Sequence, residues 1–132
     1  MATIQLNMVG LIVRDMAASL AFYRRLGLKI PVEEDDKRFV LFRMPSGVSL
    51  FWDTVFADTH DPDREPPSGG YRNMLEFFLG SEDAVDAIYA DLTSAGYRGR
   101  SAGQAKATGP YAALVEDPDG NVVLLTAELV VE

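Results

Sequence analysis

The sequence contains 132 residues, enough for one domain or for two small modules that share a core, and it needs no metal ion or disulfide to fold. Twelve basic and twenty acidic side chains give a net charge of −8, which argues against a nucleic-acid partner. The absence of cysteine excludes disulfides, thiolate metal sites and cysteine nucleophiles. Without a long apolar run or a signal-peptide pattern, we expect a cytoplasmic protein with no membrane partner.

The first half of the chain predicts a strand, a helix and then more strands. Apolar residues on both faces of residues 4–13 predict a covered strand. Asp15 is a candidate helix N-cap, and Gly27 is placed to end the helix that follows. A turn at Pro45-Ser46-Gly47 joins the last two of three further strands, which are predicted at residues 28–32, 38–44 and 48–56.

The same order of elements recurs in the second half. Residues 73–79 predict a strand, Ser81 is a candidate N-cap, and Gly96 is placed to end the second helix. Three strands follow, near residues 97–100, 112–116 and 121–127. The repeated β-α-β-β-β order predicts an α+β fold of two tandem modules.

The modules and their connection form one predicted domain that covers residues 1–132. Module one spans about residues 4–56 and module two about residues 71–128. The segment between them, residues 57–70, is rich in Asp, Pro and Gly, which predicts an exposed linker. A lid over a ligand pocket is the second interpretation of this segment.

Two stretches of the sequence resemble one known family. Residues 9–27, VGLIVRDMAASLAFYRRLG, are similar to the opening of the glyoxalase, bleomycin-resistance and extradiol-dioxygenase superfamily, the vicinal oxygen chelate fold. Asp117-Pro118-Asp119-Gly120-Asn121, with the apolar strand after it, is similar to the closing hairpin of that family. The resemblance implies two modules whose curved mixed sheets form an open cup, with helices on the convex side and ligand on the concave side. It also implies a homodimer, in which the cup is often completed across the subunit contact.

The resemblance also implies four metal-ligand positions, which metalloenzymes of the family fill with His, Glu or Gln. In this sequence they fall on Met8, Ser49, Met74 and Leu124. None of these side chains offers the imidazole or carboxylate that Zn²⁺, Fe²⁺, Mn²⁺ and Ni²⁺ prefer, and the single histidine, His60, lies in the acidic linker. Two methionines would suit Cu⁺, but flexible space filling is the preferred interpretation. We therefore expect no metal site and, without a phosphate-binding loop, no nucleotide cofactor.

Strand alternation places further side chains in the predicted cup. Glu76 and Phe78 face inward if Met74 does, and Phe51 and Asp53 share the side of Ser49. Tyr111 follows a Gly-Pro pair at a strand entrance and is a candidate for the rim. The predicted ligand-binding set is Met8, Ser49, Phe51, Asp53, Met74, Glu76, Phe78, Tyr111 and Leu124.

Glu76 is the ionisable group that the alternation places in the cavity. A carboxylate in an apolar cup is costly unless it is paired, so its partner is either a protein cation, with Arg72 as the candidate, or a cationic ligand. The leading hypothesis is a metal-free protein of the bleomycin-resistance kind that sequesters a small aromatic or cationic molecule. The alternatives are a metal-dependent lyase or dioxygenase, a metal-free isomerase with Glu76 as general base, and a domain with a decayed cup that contacts another protein.

Overall fold

The computed structural model describes residues 4–65, 73–105 and 110–127. The chain forms two compact units, one of Met1–Leu20 with Lys29–Pro67 and one of Ala21–Leu28 with Ser68–Glu132. The division falls inside the first helix, α1 (Met16–Leu26), whereas the sequence analysis placed this helix wholly in module one. None of the helices in the described part of the chain is long and apolar enough to span a membrane.

The first unit contains a three-stranded sheet with the order β1-β3-β2. β1 (Met8–Ile12) runs parallel to β3 (Ser49–Asp53), and β2 (Phe39–Arg43) pairs with β3 in the antiparallel direction. The predicted turn at Pro45-Ser46-Gly47 joins β2 to β3, and Gly47 takes the positive φ of +95° that such a turn requires. One face of this sheet is buried and carries Leu11, Val40, Leu50 and Trp52.

The second unit contains a four-stranded sheet with the order β4-β7-β6-β5. β4 (Met74–Phe78) runs parallel to β7 (Val122–Thr126), while β6 (Tyr111–Glu116) is antiparallel to both β7 and β5 (Gly99–Ala105). The helix α3 (Glu82–Ser94) packs against β5, β6 and β7 and covers one face of the sheet. The predicted α+β class, with mixed sheets and helices, is thereby confirmed.

The motif at residues 117–121 forms a buried anchor in the second unit. Asp117 Oδ1 accepts the backbone N–H groups of Asp119 and Asn121, both at 2.9 Å. Asp117 Oδ2 accepts the Asn121 side-chain amide at 2.8 Å and the Tyr23 hydroxyl at 2.7 Å. Burial and the nearby Asp117 carboxylate raise the pKa of Tyr23, so its phenol stays protonated and donates. The turn is therefore bonded both to itself and to α1.

Both predicted helix N-caps are confirmed. Asp15 Oδ1 accepts the N–H of the residue three positions later at 3.0 Å, and Ser81 Oγ does the same at 3.1 Å. Gly27 and Gly96 follow their helices with positive φ angles, as expected of residues that end a helix.

The strands of module one differ from the prediction in two places. β1 begins only at Met8, and Ile4 is 97% exposed. No strand forms at residues 28–32, because Pro31 has no N–H to donate to a neighbouring strand and Val32–Glu34 turn into a short 3₁₀ helix. In the described residues, module one therefore has the order β-α-β-β and lacks one predicted strand.

The predicted strand at residues 48–56 also ends early. Asp53 Oδ1 accepts the N–H groups of the second and third residues after it, at 2.8 and 2.7 Å, and this turns the chain into a short helix. That helix, α2 (Phe56–His60), lies mostly in the predicted linker and has no buried residue, in keeping with an exposed segment. This helix was not predicted from the sequence, and residues 66–70 of the linker lie outside the described residues.

Candidate functional site

One face of the first sheet is partly exposed and brings four predicted residues together, two of them buried and two half-buried. The parallel register sets Met8 opposite Ser49 and Ile12 opposite Asp53. Phe51 lies on β3 between Ser49 and Asp53. The edge strand β2 adds three side chains to the same face. We call this surface the first open face; it consists of Met8, Gly10, Ile12, Phe39, Leu41, Arg43, Ser49, Phe51 and Asp53.

Phe51 covers the centre of the first open face because Gly10 opposite it has no side chain. A Cβ atom at Gly10 would lie 2.1 Å from Phe51 Cζ, so the ring lies directly over the glycine. The Phe39 ring stacks against Phe51 with centroids 5.5 Å apart and planes inclined by 28°. Phe39 is 49% exposed, and Ile12 and Leu41 are also exposed. Gly10 was not among the predicted site residues, although a lone glycine in a strand indicates a close approach.

The two charged residues of the first open face have different surroundings. Asp53 is buried, and its Oδ1 serves the turn into α2. Arg43 is exposed, lies opposite Ser49 across the β2–β3 pair, and has no ion pair within the part of the chain that the structure describes. Arg43 was not among the predicted site residues, although alternation along β2 places it on the same face as Phe39 and Leu41.

A groove of about 480 Å³ lies at the Asp53 end of this surface. Two cations line the groove. Lys37 forms an ion pair with Glu34 at 2.5 Å, and Arg38 is exposed. The hydrogen bond to Glu34 raises the pKa of Lys37. The lining residues are Asp36, Lys37, Arg38, Phe39, Asp53 and Val55.

The second sheet has an exposed face of its own, which contains the other predicted strand residues. Glu76 lies opposite Leu124 across the β4–β7 pair, with Met74 and Phe78 on either side of Glu76 along β4. Met74 and Phe78 are 48% and 52% exposed. We call this surface the second open face; it consists of Met74, Glu76, Phe78, Ala112, Leu114, Glu116, Val122, Leu124 and Thr126.

The Glu76 carboxylate accepts a hydrogen bond from a buried hydroxyl. Thr126 Oγ1, on the neighbouring strand, donates to Glu76 Oε2 at 3.0 Å. The candidate partner Arg72 lies outside the described residues. Thr126 was not predicted as a partner, because its proximity depends on the pairing of strands that are 50 residues apart.

The second charged residue of this face is neutralised by arginines. Glu116 Oε2 accepts a hydrogen bond from Arg100 Nη1 at 2.6 Å, and Arg98 Nε lies 3.5 Å from the same oxygen. A ligand would therefore meet a paired carboxylate at this end of the second open face.

The structure places Tyr111 away from the other predicted residues. Its hydroxyl donates to Asp86 Oδ1 of α3 at 2.7 Å, so the ring lies on the helix-covered side of the second sheet. This hydrogen bond is the main reason that the pKa of Tyr111 rises to about 12. Gly103 makes room for the contact, since a Cβ there would lie 2.4 Å from Asp86 Oδ1. We therefore leave Tyr111 out of the proposed binding surface.

The donor set does not fit the divalent ion that the resemblance implies. Met8 and Ser49 on the first open face, with Met74 and Leu124 on the second, offer two thioethers, a hydroxyl and an alkyl group. Within residues 4–65, 73–105 and 110–127, no three His, Cys, Asp or Glu side chains are grouped so that they would hold a metal ion. The His60 ring lies against Phe56, with centroids 4.3 Å apart.

Comparisons with known proteins identify the family. The profile of the Glyoxalase/Bleomycin resistance protein/Dioxygenase superfamily matches residues 5–125. Among curated proteins, none matches the chain.

Several solved structures have a similar fold. A hypothetical protein from S. aureus is 19% identical with a TM-score of 0.78, and each chain covers 96% of the other. A family enzyme from Burkholderia phytofirmans is 21% identical with a TM-score of 0.74, and the match covers 90% of this chain and 94% of that one. A protein of unknown function from Agrobacterium tumefaciens is 29% identical with a TM-score of 0.70, over 98% of both chains.

Proposed function

Because the chain belongs to the glyoxalase/bleomycin resistance protein/dioxygenase superfamily, we propose that it binds a small aromatic molecule on its open sheet faces without a metal ion. The observation that carries this proposal is the stacked pair of exposed Phe39 and half-buried Phe51, whose ring lies over Gly10. A flat ligand ring that packs on this pair gains about 0.5–1.5 kcal/mol beyond the burial of apolar area. The ring also removes from water the neighbouring side chains of Ile12 and Leu41.

The chemistry of the donor set supports binding without a metal. The positions that the resemblance assigns to the metal ligands of this family hold Met8, Ser49, Met74 and Leu124 here, none of which offers imidazole or carboxylate. A protein that holds its ligand by packing alone releases it chemically unchanged. Sequestering a ligand without changing it is the role that the resemblance to bleomycin-resistance proteins implies.

We propose also that the protein is a homodimer. Ile12 and Leu41 on the first open face, and Met74 and Phe78 on the second, are each about half exposed. Exposed apolar side chains on both faces favour a subunit contact that covers part of them. Light scattering on the purified chain tests this proposal, and a monomer at all concentrations would contradict it.

A second candidate function is proton transfer by Glu76. Its carboxylate is exposed and is oriented by the Thr126 hydroxyl, as a general base requires. A ligand recovered as a different isomer, with conversion abolished in a folded Glu76→Gln variant, would support this candidate. A ligand recovered unchanged supports sequestration.

The experiment that tests aromatic binding compares two exposed phenylalanines. Phe39→Ala removes half of the stacked pair, whereas Phe56→Ala removes a phenylalanine of similar exposure, 52%, from α2. We expect 2-naphthoate, titrated into the chain by calorimetry, to bind the Phe39→Ala variant about tenfold more weakly. The Phe56→Ala variant should bind like the parent chain. Equal affinities for all three proteins would contradict the proposal.

A further inference from the structure

We propose that the molecule bound on the first open face is an aromatic acid, whose ring lies on Phe51 and whose carboxylate is bound by Arg43. The inference rests on the proposed function, because it names the chemical class of the ligand for the same surface. The inferred ligand is thus an anionic aromatic molecule and not a cationic one.

The strand register places Arg43 within reach of a ligand on Phe51. Leu41 lies directly opposite Phe51 across the β2–β3 pair, and Arg43 lies two residues further along β2 on the same face. Such diagonal neighbours lie roughly 7–8 Å apart, a span that a long side chain bridges. A ring stacked on Phe51 therefore directs a carboxylate substituent toward the guanidinium.

The first open face offers an anion an exposed cation. Arg43 is exposed and has no ion pair in the part of the chain that the structure describes. A guanidinium binds a carboxylate through two parallel hydrogen bonds, which fixes the orientation of the ligand as well as its charge. Other arginines are already engaged in ion pairs: Arg25 with Asp91, Arg64 with Asp58, and both Arg98 and Arg100 with Glu116.

The carboxylate on the same face is a poorer site for a cationic ligand. Asp53 is buried at 7% exposure, and its Oδ1 already accepts two backbone N–H groups. The net charge of −8 repels anions from the protein as a whole, but this repulsion is screened over about 8 Å at physiological salt. Recognition of an anion therefore depends on a local cation, and Arg43 is the cation that shares the first open face with the aromatic pair.

The experiment uses three probes with the same ring and different charges. The probes are 2-naphthoate, 2-naphthamide and 2-naphthylmethylammonium, each titrated into the full chain by calorimetry. We expect the carboxylate to bind about tenfold or more tightly than the amide, as a charge-assisted hydrogen bond predicts. The ammonium should bind more weakly than the amide.

Two matched variants locate the charge preference. Arg43→Gln should reduce the carboxylate-to-amide preference to nearly one, while binding of the amide stays the same. Lys29→Gln makes the same change of charge at an exposed cation between α1 and β2, outside both the first open face and the groove at its Asp53 end, and should keep the preference. Thermal unfolding of each variant checks that the fold is intact, and the exposed position of Arg43 leads us to expect no loss.

The outcomes separate the two proposals. If none of the probes binds the parent chain, the proposed function on this face fails, and the inference fails with it. If the amide or the ammonium binds as tightly as the carboxylate, the surface binds aromatic molecules but the inference of an acid is wrong. If the preference for the carboxylate survives in Arg43→Gln, the role of Arg43 is wrong.

Discussion

The two sheets share a strand order but differ in the chemistry of their open faces. The order β1-β3-β2 of the first sheet matches β4-β7-β6 of the second, and β5 is an additional edge strand without a counterpart. At the centre, Gly10 beside Phe51 corresponds to Glu76 beside Leu124. One backbone register therefore supports an aromatic surface in one unit and a carboxylate in the other.

The ends of the two faces differ as well. Asp53 on β3 corresponds to Thr126 on β7, and each uses its polar side chain within its own unit. Arg43 on β2 corresponds to Glu116 on β6, which is paired with arginines while Arg43 is not. These differences are why we propose that a ring and its charge are recognised on the first face, whereas the second presents the Glu76 carboxylate bonded to Thr126.

The largest expected effect tests how differently the two corresponding turns contribute to stability. The turn of the second unit is held by buried Asp117, whereas Ser46 in the turn of the first unit makes only a long, exposed bond of 3.4 Å. Asp117→Ala removes the buried carboxylate that accepts the Tyr23 hydroxyl and two backbone N–H groups, and should cost about 3–5 kcal/mol of unfolding free energy. Ser46→Ala should cost less than about 0.5 kcal/mol. Urea unfolding followed by the fluorescence of buried Trp52 measures both values, and similar losses would contradict this account.

A smaller effect is expected from removing the glycine that distinguishes the first open face. Gly10→Ala forces the Phe51 ring to move, because its Cζ atom lies 2.1 Å from the new Cβ. Overpacking of this kind should cost about 1–3 kcal/mol of stability and weaken naphthoate binding. In a Phe51→Ala background the same change should cost much less stability. Equal costs in the two backgrounds would show that Phe51 does not cover Gly10.

The smallest expected effect is a change of stability with pH, and it involves Tyr23, which donates to Asp117 in the second unit. Burial raises the pKa of Tyr23 above its unfolded value of 10.0, so only the unfolded chain loses this proton as the pH rises just above 10. The stability that this tyrosine contributes is fully present below pH 10 and falls above it, by about 1 kcal/mol between pH 10 and 11.

Matched tyrosine variants isolate this contribution. Tyr23→Phe should remove its part of the decline, and Tyr111→Phe should remove a separate part, because the pKa of Tyr111 is also raised. Urea unfolding at pH 9, 10 and 11 measures the slopes. A parent chain and a Tyr23→Phe variant with the same slope would contradict the prediction.

Features that depend on local chemistry could be predicted from the sequence. The caps at Asp15 and Ser81 and the turn before β3 follow from side chains and glycines that act within a few residues. Strand alternation also placed Ser49, Phe51 and Asp53 on one face, as the structure does. Their role in binding remains a proposal.

Features that depend on partners distant in the sequence could not be predicted. The hydrogen bond from Thr126 to Glu76 joins strands that only the fold brings together. Tyr111 was predicted at the rim because it follows a Gly-Pro pair at a strand entrance. The register of that strand could not be predicted, and a shift of one residue moves a side chain to the opposite face. The apolar content of residues 28–32 predicted a strand, but Pro31 has no backbone N–H to donate to a neighbouring strand, and none forms there.

The most direct test of the central claim is a titration of the isotope-labelled chain with 2-naphthoate in the presence of EDTA, followed by amide NMR shifts. We predict saturable shifts concentrated at Gly10, Leu41, Arg43 and Phe51 on the first open face, with no requirement for added metal. Shifts that do not saturate, or that require a divalent ion, would contradict metal-free binding of an aromatic ligand on this face.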